Sequence, residues 1–332
     1  MSNQEYTNQH YAPQTYTKPW KDDGSFKLID KAIDKHSGEL WSPKGRFYFE
    51  EYYTLGYHTP FCLNDNEISK IFGLLDNFVV EFNGNTIVEH KHYASSFKYF
   101  DEWIIKDIKT QKPISDAKRK DIENTIKSDD NRILNIEFGW HKYENSWHGI
   151  RSEVIEVLNG SRTNLSSETY SVLKRFIGIQ KWRGEEAYKE VKEISDFVMG
   201  LNRNPNDKIN SDENEEMAKQ QFLCMLRKFI DGDKCSVIQK EINACENLAL
   251  VIYKTPTNVK LFTSDNPVII VQDEDIYKDI YNGLYFPITP RLLIGLFNGD
   301  PTEYYIETLS KELVEKLNNK IADKAIRYYL SQ

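Results

Sequence analysis

After residue 247 the apolar pattern of this chain changes period, and that change limits the folds open to it. Leu248–Tyr253, Val259–Thr263, Val268–Val271, Leu284–Ile288 and Leu292–Phe297 are short β-branched or aromatic runs separated by Pro, Asn, Asp and Gly. Runs of this length, divided by turn residues, predict an antiparallel sheet. The preceding part reads at helical spacing. Asn64-Asp65-Asn66-Glu67 is a capping sequence, because short polar side chains accept from the free N–H groups of a first helical turn. Ile68, Ile71, Phe72, Leu75 and Phe78 then recur as one face of a helix. Leu165-Ser166-Ser167-Glu168 opens a second helix running to about Met199. Met217–Ile230 and Ser310–Leu330 read as two more. The predicted class is α+β, with a helical layer over residues 64–230 packed against a C-terminal antiparallel β-sheet.

Residues 1–332 read as one domain, with residues 84–150 as an insertion inside it. Lys106–Asp130 mixes both charge signs with few apolar residues and reads as a solvated helix and loop. Asn202–Glu216 is polar and acidic, contains Pro205, and reads as a mobile loop. The formal charge of −8 and pI near 5.5 argue against a surface that broadly coats nucleic acid, while leaving room for a local basic pocket. The scattered Cys62, Cys224, Cys235 and Cys245 form neither a disulfide framework nor a zinc motif, and read as reduced thiols. The first residues lack the basic and apolar regions of a signal peptide, and no apolar run approaches the ~20 residues of a membrane span. These features predict a cytoplasmic protein without a membrane partner.

Two turns concentrate chemically capable groups. Asn8-Gln9-His10-Tyr11-Ala12-Pro13-Gln14-Thr15-Tyr16 carries His10, and Phe262-Thr263-Ser264-Asp265-Asn266-Pro267-Val268 carries Asp265. Proline fixes its own φ and pushes the preceding residue away from helix, so both turns are geometrically specified. His10 could anchor the N-terminal segment, or act as a general base or metal ligand. Asp265 could close an Asx turn or supply a catalytic carboxylate. Between them, Leu173, Phe176, Ile177, Ala187, Val191, Ile194 and Val198 share a helical stripe, with Gln180 at its centre and Arg183 near its edge. A guanidinium there needs an anionic partner, either an internal carboxylate or a bound phosphate. Glu89-His90-Lys91 has the Glu-x-Lys spacing of a restriction-type nuclease core, but Asp76 falls in a helical pattern and the match reads as chance. His141 and His148 lack regular metal-ligand spacing. Phosphate-binding loops, dinucleotide fingerprints and nucleophile elbows are absent from the sequence.

Several of these segments occur in an order that resembles the domain-of-unknown-function family numbered 4238. The resemblance rests on Asn8-x-His10-Tyr11-x-Pro13-x-x-Tyr16, Arg175-Phe176-Ile177-x-x-Gln180-x-x-Arg183, Phe262-x-Ser264-Asp265-Asn266-Pro267 and Phe286-Pro287-x-x-Pro290. A final helix adds Leu317, Asn318 and Ala325. Gly184 and Glu185 stand where the family often has Thr-Pro. The family name implies no settled activity, but the resemblance implies that His10, Gln180, Arg183, Asp265 and Asn318 converge. One expectation is a phosphodiester hydrolase, nuclease-like and of the kind found in bacterial defence or toxin systems. His10 would then be base or metal ligand, Asp265 a metal ligand or orienter, and Arg183 the clamp on the scissile phosphate. Tyr11, Gln180, Asn266 and Asn318 would bind around them, with a divalent metal as the candidate cofactor and nucleic acid as substrate. The rival expectation is a non-catalytic sensor or interaction protein whose polar cluster binds a small anionic ligand or only stabilises the fold.

Overall fold

In the computed structural model, which describes residues 8–10, 14–21, 26–31, 40–41, 48–50, 63–127, 137–201, 211–234, 236–272 and 280–331, helices and strands segregate along the chain. The N-terminal part contributes β1 (Asn8–His10), the short α1 (Gln14–Thr17), β2 (Phe26–Asp30), β3 (Leu40–Trp41) and β4 (Tyr48–Glu50). Next come α2 (Asp65–Phe72), β5 (Phe78–Phe82), β6 (Asn85–Ile87), α3 (His90–Ser96), β7 (Ile104–Asp107) and α4 (Asp116–Ile126). The helical stretch continues with α5 (Glu137–Glu144), α6 (Trp147–Leu158), α7 (Ser167–Arg183), α8 (Glu185–Leu201), α9 (Ser211–Ile230) and α10 (Val237–Glu246). Strands β8 (Ala249–Lys254), β9 (Thr263–Ser264), β10 (Ile269–Val271), β11 (Gly283–Thr289), β12 (Leu292–Phe297) and β13 (Tyr304–Thr308) follow, then α11 (Lys311–Lys324) and β14 (Tyr328–Ser331). The class is α+β, as predicted.

The principal sheet has the order β10-β11-β12-β8-β13. Its pairs are antiparallel except β13, which runs parallel to β8, so the sheet is mixed. Alternation along β8 separates two cores. Leu250 and Ile252 join Trp147, Val154, Leu173, Phe176 and Ile177 on the side of α6 and α7. Ala249, Val251 and Tyr253 join Leu313, Val314, Leu317 and Ile321 of α11 on the other. A sheet covered on both faces needs apolar residues at every position, which is why these strands read as continuous runs. A third cluster unites α2, β5, β7 and α4 with α9, α10 and the end of α7. A second sheet, β3-β2-β14-β9, places the C-terminal strand between N-terminal and late segments.

The structure revises several expectations, among them the strand over Val259–Thr263, of which only Thr263 enters a strand, β9. The helix opened by the Asn64–Glu67 capping box stops at Phe72, and a 3-10 turn leads into β5, so Phe78 begins a strand. The long middle helix breaks at Gly184, and Ile194 lies 65% exposed instead of continuing the buried stripe. Lys106–Asp130 is not wholly solvated: α4 turns Ile122 and Ile126 into the core and its charges outward. Cys224 is disulfide-bonded, whereas Cys245 is free and buried. The loop expected over Asn202–Glu216 lies largely outside the described residues, and α9 already begins at Ser211.

Glu153 of α6 staples the start of α7. Its carboxylate accepts from the Ser166 N–H, the Ser166 hydroxyl at 3.1 Å and the Thr169 hydroxyl at 2.7 Å. Burial alone would raise its pKa, but these donors and Arg162 outweigh burial and hold it below the usual 4.5. A pKa depressed by folding gives stability that is present at neutral pH and lost as pH falls through the folded-state value. Glu153→Gln is therefore expected to cost about 1–2 kcal/mol at pH 7. Urea titrations repeated at lower pH should show the difference between variant and wild type shrinking once pH drops below about 4.

Candidate functional site

The Ser-Asp-Asn turn is built around one carboxylate. Strand β9 pairs with β14 through Ser264 and Tyr329, which brings the following residue beside the end of α11. Asp265 donates its own N–H to the Tyr328 carbonyl at 3.0 Å. Its Oδ1 accepts from the Ile326 N–H at 2.8 Å, and Oδ2 accepts from the Arg327 and Tyr328 N–H groups, each at 2.8 Å. Successive N–H groups pointing to one place form a ready anion cradle. Here the chain's own carboxylate fills it, at 2% exposure.

The neighbouring amides reinforce the same junction. Asn266 Nδ2 donates to the Lys324 carbonyl in the last turn of α11. Asn318 accepts from the Phe262 N–H at 2.8 Å and donates Nδ2 to the Lys260 carbonyl at 2.8 Å. All three side chains thus run between residues 260–266 and the C-terminal helix and strand. This junction corrects the expected helix over Ser310–Leu330. Helix α11 stops at Lys324, because the N–H groups of residues 326–328 are taken by Asp265 and cannot continue the helical ladder.

Three further motif segments meet at an aromatic core. The buried Tyr16 hydroxyl donates to the Pro287 carbonyl at 2.8 Å and shares a hydrogen bond with Thr263. Its ring stacks on Phe286 with centroids 4.7 Å apart. Phe176 of α7 stacks on Trp147 at 4.1 Å and meets Phe286 edge-on at 5.7 Å. Burial pushes the Tyr16 phenol far above its ordinary pKa, so it remains a neutral donor. Trp20 Nε1 ties the same segment to the Leu261 carbonyl at 2.9 Å. Tyr16→Phe would leave a buried carbonyl and a buried hydroxyl without this partner, and is expected to lower stability by about 1–3 kcal/mol in thermal or urea melts.

Arg183 lies at the end of α7, 1% exposed, in a salt bridge with Glu144. Its guanidinium carbon sits 5.2 Å from the Trp140 ring centroid, a cation–π distance. An internal carboxylate therefore accompanies this cation. Gln180, one turn earlier, is 3% exposed. Gly184 carries the helix end to the Asp265 turn: a Cβ there would stand 3.8 Å from the Asp265 carbonyl oxygen and 3.9 Å from Asn266 Oδ1. The structure thus gathers Asp265, Asn266 and Asn318 and brings the end of the Gln180–Arg183 helix against them. For His10 only the backbone is described, in register with Tyr48. Its side chain, and Tyr11 entirely, lie outside the described residues.

Sequence reasoning did not find Glu144 or Trp140 as partners of Arg183, since nothing local marks residues some forty positions away. Nor did it foresee that Asp76 and His90 meet. His90 Nε2 lies 2.7 Å from Asp76 and Nδ1 lies 2.9 Å from the Ser69 hydroxyl, on the protein surface. Glu89 and Lys91 pair with each other at 2.6 Å. Among the described residues, no three His, Cys, Asp or Glu side chains gather as metal ligands would. No described helix is long and apolar enough to cross a membrane.

These ties define an α+β protein in which a buried carboxylate clasps the C-terminal strand to a turn beside a two-faced mixed sheet. The chain belongs to the family described as Protein of unknown function (DUF4238), whose model matches residues 8–331. No curated protein and no solved structure matches it.

Proposed function

We propose that this chain is a non-catalytic sensor or interaction protein that binds a small anionic ligand, and that its motif cluster serves the fold. The observation that carries this reading is the engagement of both Asp265 oxygens by the chain's own backbone. Three backbone N–H groups approach its two oxygens at 2.8 Å. A metal ligand or proton acceptor must direct lone pairs at its target, and three of the roughly four lone-pair sites of Asp265 are already directed at the chain. Arg183 supports the same view. Its guanidinium already carries an internal carboxylate, Glu144, and losing one partner of a buried pair costs about 3–5 kcal/mol. Labelled RNA and DNA incubated with the protein, with and without Mg²⁺ or Mn²⁺, should stay intact. Metal-dependent cleavage that His10→Ala abolishes without lowering the melting temperature would overturn this reading in favour of a phosphodiester hydrolase.

A further inference from the structure

On the α6 face of the principal sheet, the row Leu250, Ile252, Lys254 follows the alternation of β8. The first two side chains are fully buried under the helices. The third is a lysine where the period calls for an apolar residue. It opens on a cavity of about 480 Å³ lined by Pro19, Ile155, Leu158, Lys254, Arg291 and Leu292. That volume is in the range of small-molecule sites, about 300–1,000 Å³.

The lining is divided by chemistry. Pro19, Ile155, Leu158 and Leu292 form an apolar wall. Lys254 and Arg291 supply positive charge. The Arg291 guanidinium is fixed by the carbonyls of Pro256 at 2.7 Å and Val259 at 3.1 Å. Among the described residues neither cation meets a carboxylate, in a chain whose formal charge is −8. Thr255 also lines the cavity, and its hydroxyl oxygen is buried without a hydrogen-bond partner. Helix α6 ends here, and free carbonyls at its C-terminus would repel an anion. Three of the last four are occupied: Ile155 accepts from the Asn159 N–H at 3.0 Å, Glu156 from Ser161 at 2.9 Å, and Val157 from Gly160 at 3.2 Å.

We infer that this cavity binds an amphipathic carboxylate. Its charged end meets Lys254, with Thr255 and Arg291 beside it, and its apolar body lies on Ile155 and Leu158. A charge-assisted contact fixes the head, and burial of the body supplies the non-directional part of the affinity. The inference rests on the small-anion reading above and names the ligand class and place.

Calorimetric titration of the full chain with octanoate, octan-1-ol, octyl phosphate and inorganic phosphate tests it. Octanoate should bind with one-to-one saturation, and Lys254→Met should weaken it about tenfold or more. Ile155→Asp should weaken it similarly, because the body loses its wall. Both positions are partly exposed, so both variants should keep the wild-type melting temperature. Equal binding of octan-1-ol, preference for octyl phosphate, binding of inorganic phosphate alone, or no octanoate binding would each overturn the proposal. The nucleic-acid assay on the same preparation separates the two readings. Cleavage would remove the non-catalytic reading and leave an octanoate result standing. Intact nucleic acid with no octanoate binding would remove only this site.

Discussion

Asp265→Ala is expected to lower the unfolding free energy by about 3–5 kcal/mol, the range set by leaving several buried donors without an acceptor. The three N–H groups it serves belong to Ile326 and Arg327, which lead into β14, and to Tyr328, its first residue. That strand lies between β2 and β9, so its release would open the four-stranded sheet on both sides. Asp265→Asn should fall between alanine and wild type. Its carbonyl oxygen can still accept, but its NH₂ must then face a backbone N–H, donor against donor. Urea unfolding of the three proteins measures the series. A catalytic carboxylate would behave differently, with little change in stability after either substitution.

The second large effect is expected at Arg183. Arg183→Ala strands Glu144 in a partly buried position and removes the cation over Trp140, and should cost about 3–5 kcal/mol. Arg183→Lys keeps the charge, yet loses the planar fork and the stacking surface, and should recover only part of that. Combining Arg183→Met with Glu144→Leu removes both charges together. Because replacing a whole buried pair by apolar groups is often near neutral, the double variant should be more stable than Arg183→Ala. Thermal melts of the four proteins decide the matter. A double variant no better than the single one would show that Arg183 serves something other than this pair.

What was legible in the sequence followed from local physics. Four of the five strands of the principal sheet announced themselves by period and punctuation, and β8, β11 and β12 lie within a residue or two of their expected bounds, whereas β13 was not anticipated. The caps at Asn64 and Ser166 worked for the same reason, since a cap and its N–H partner lie three residues apart. Long-range ties were the illegible part. Asp265 was recognisable as a turn residue, but the three donors that engage it stand some sixty positions later, and without them its two readings could not be separated. The overrun of the last helix has the same origin, because residues 325–330 contain no proline or glycine to stop it. Only Tyr328 and Leu330, buried on either side of a less buried Tyr329, carried the period of a strand. Arg183 announced that it required an anion without saying which. Lys254 was hidden by the opposite effect, ending a run whose neighbours made it look like a strand terminus in solvent.

Amide hydrogen exchange at Ile326, Arg327 and Tyr328 tests the central claim most directly, because those three groups are the ones that the Asp265 carboxylate holds. If Asp265 is a structural clasp, the three amides exchange slowly in the wild type and rapidly in Asp265→Ala, while amides in β5 and α2, far along the chain in the separate helical core, keep their protection under conditions where the variant remains folded. If the three amides are equally protected in both proteins, the clasp is not what holds the C-terminal strand, and Asp265 returns as a candidate for chemistry.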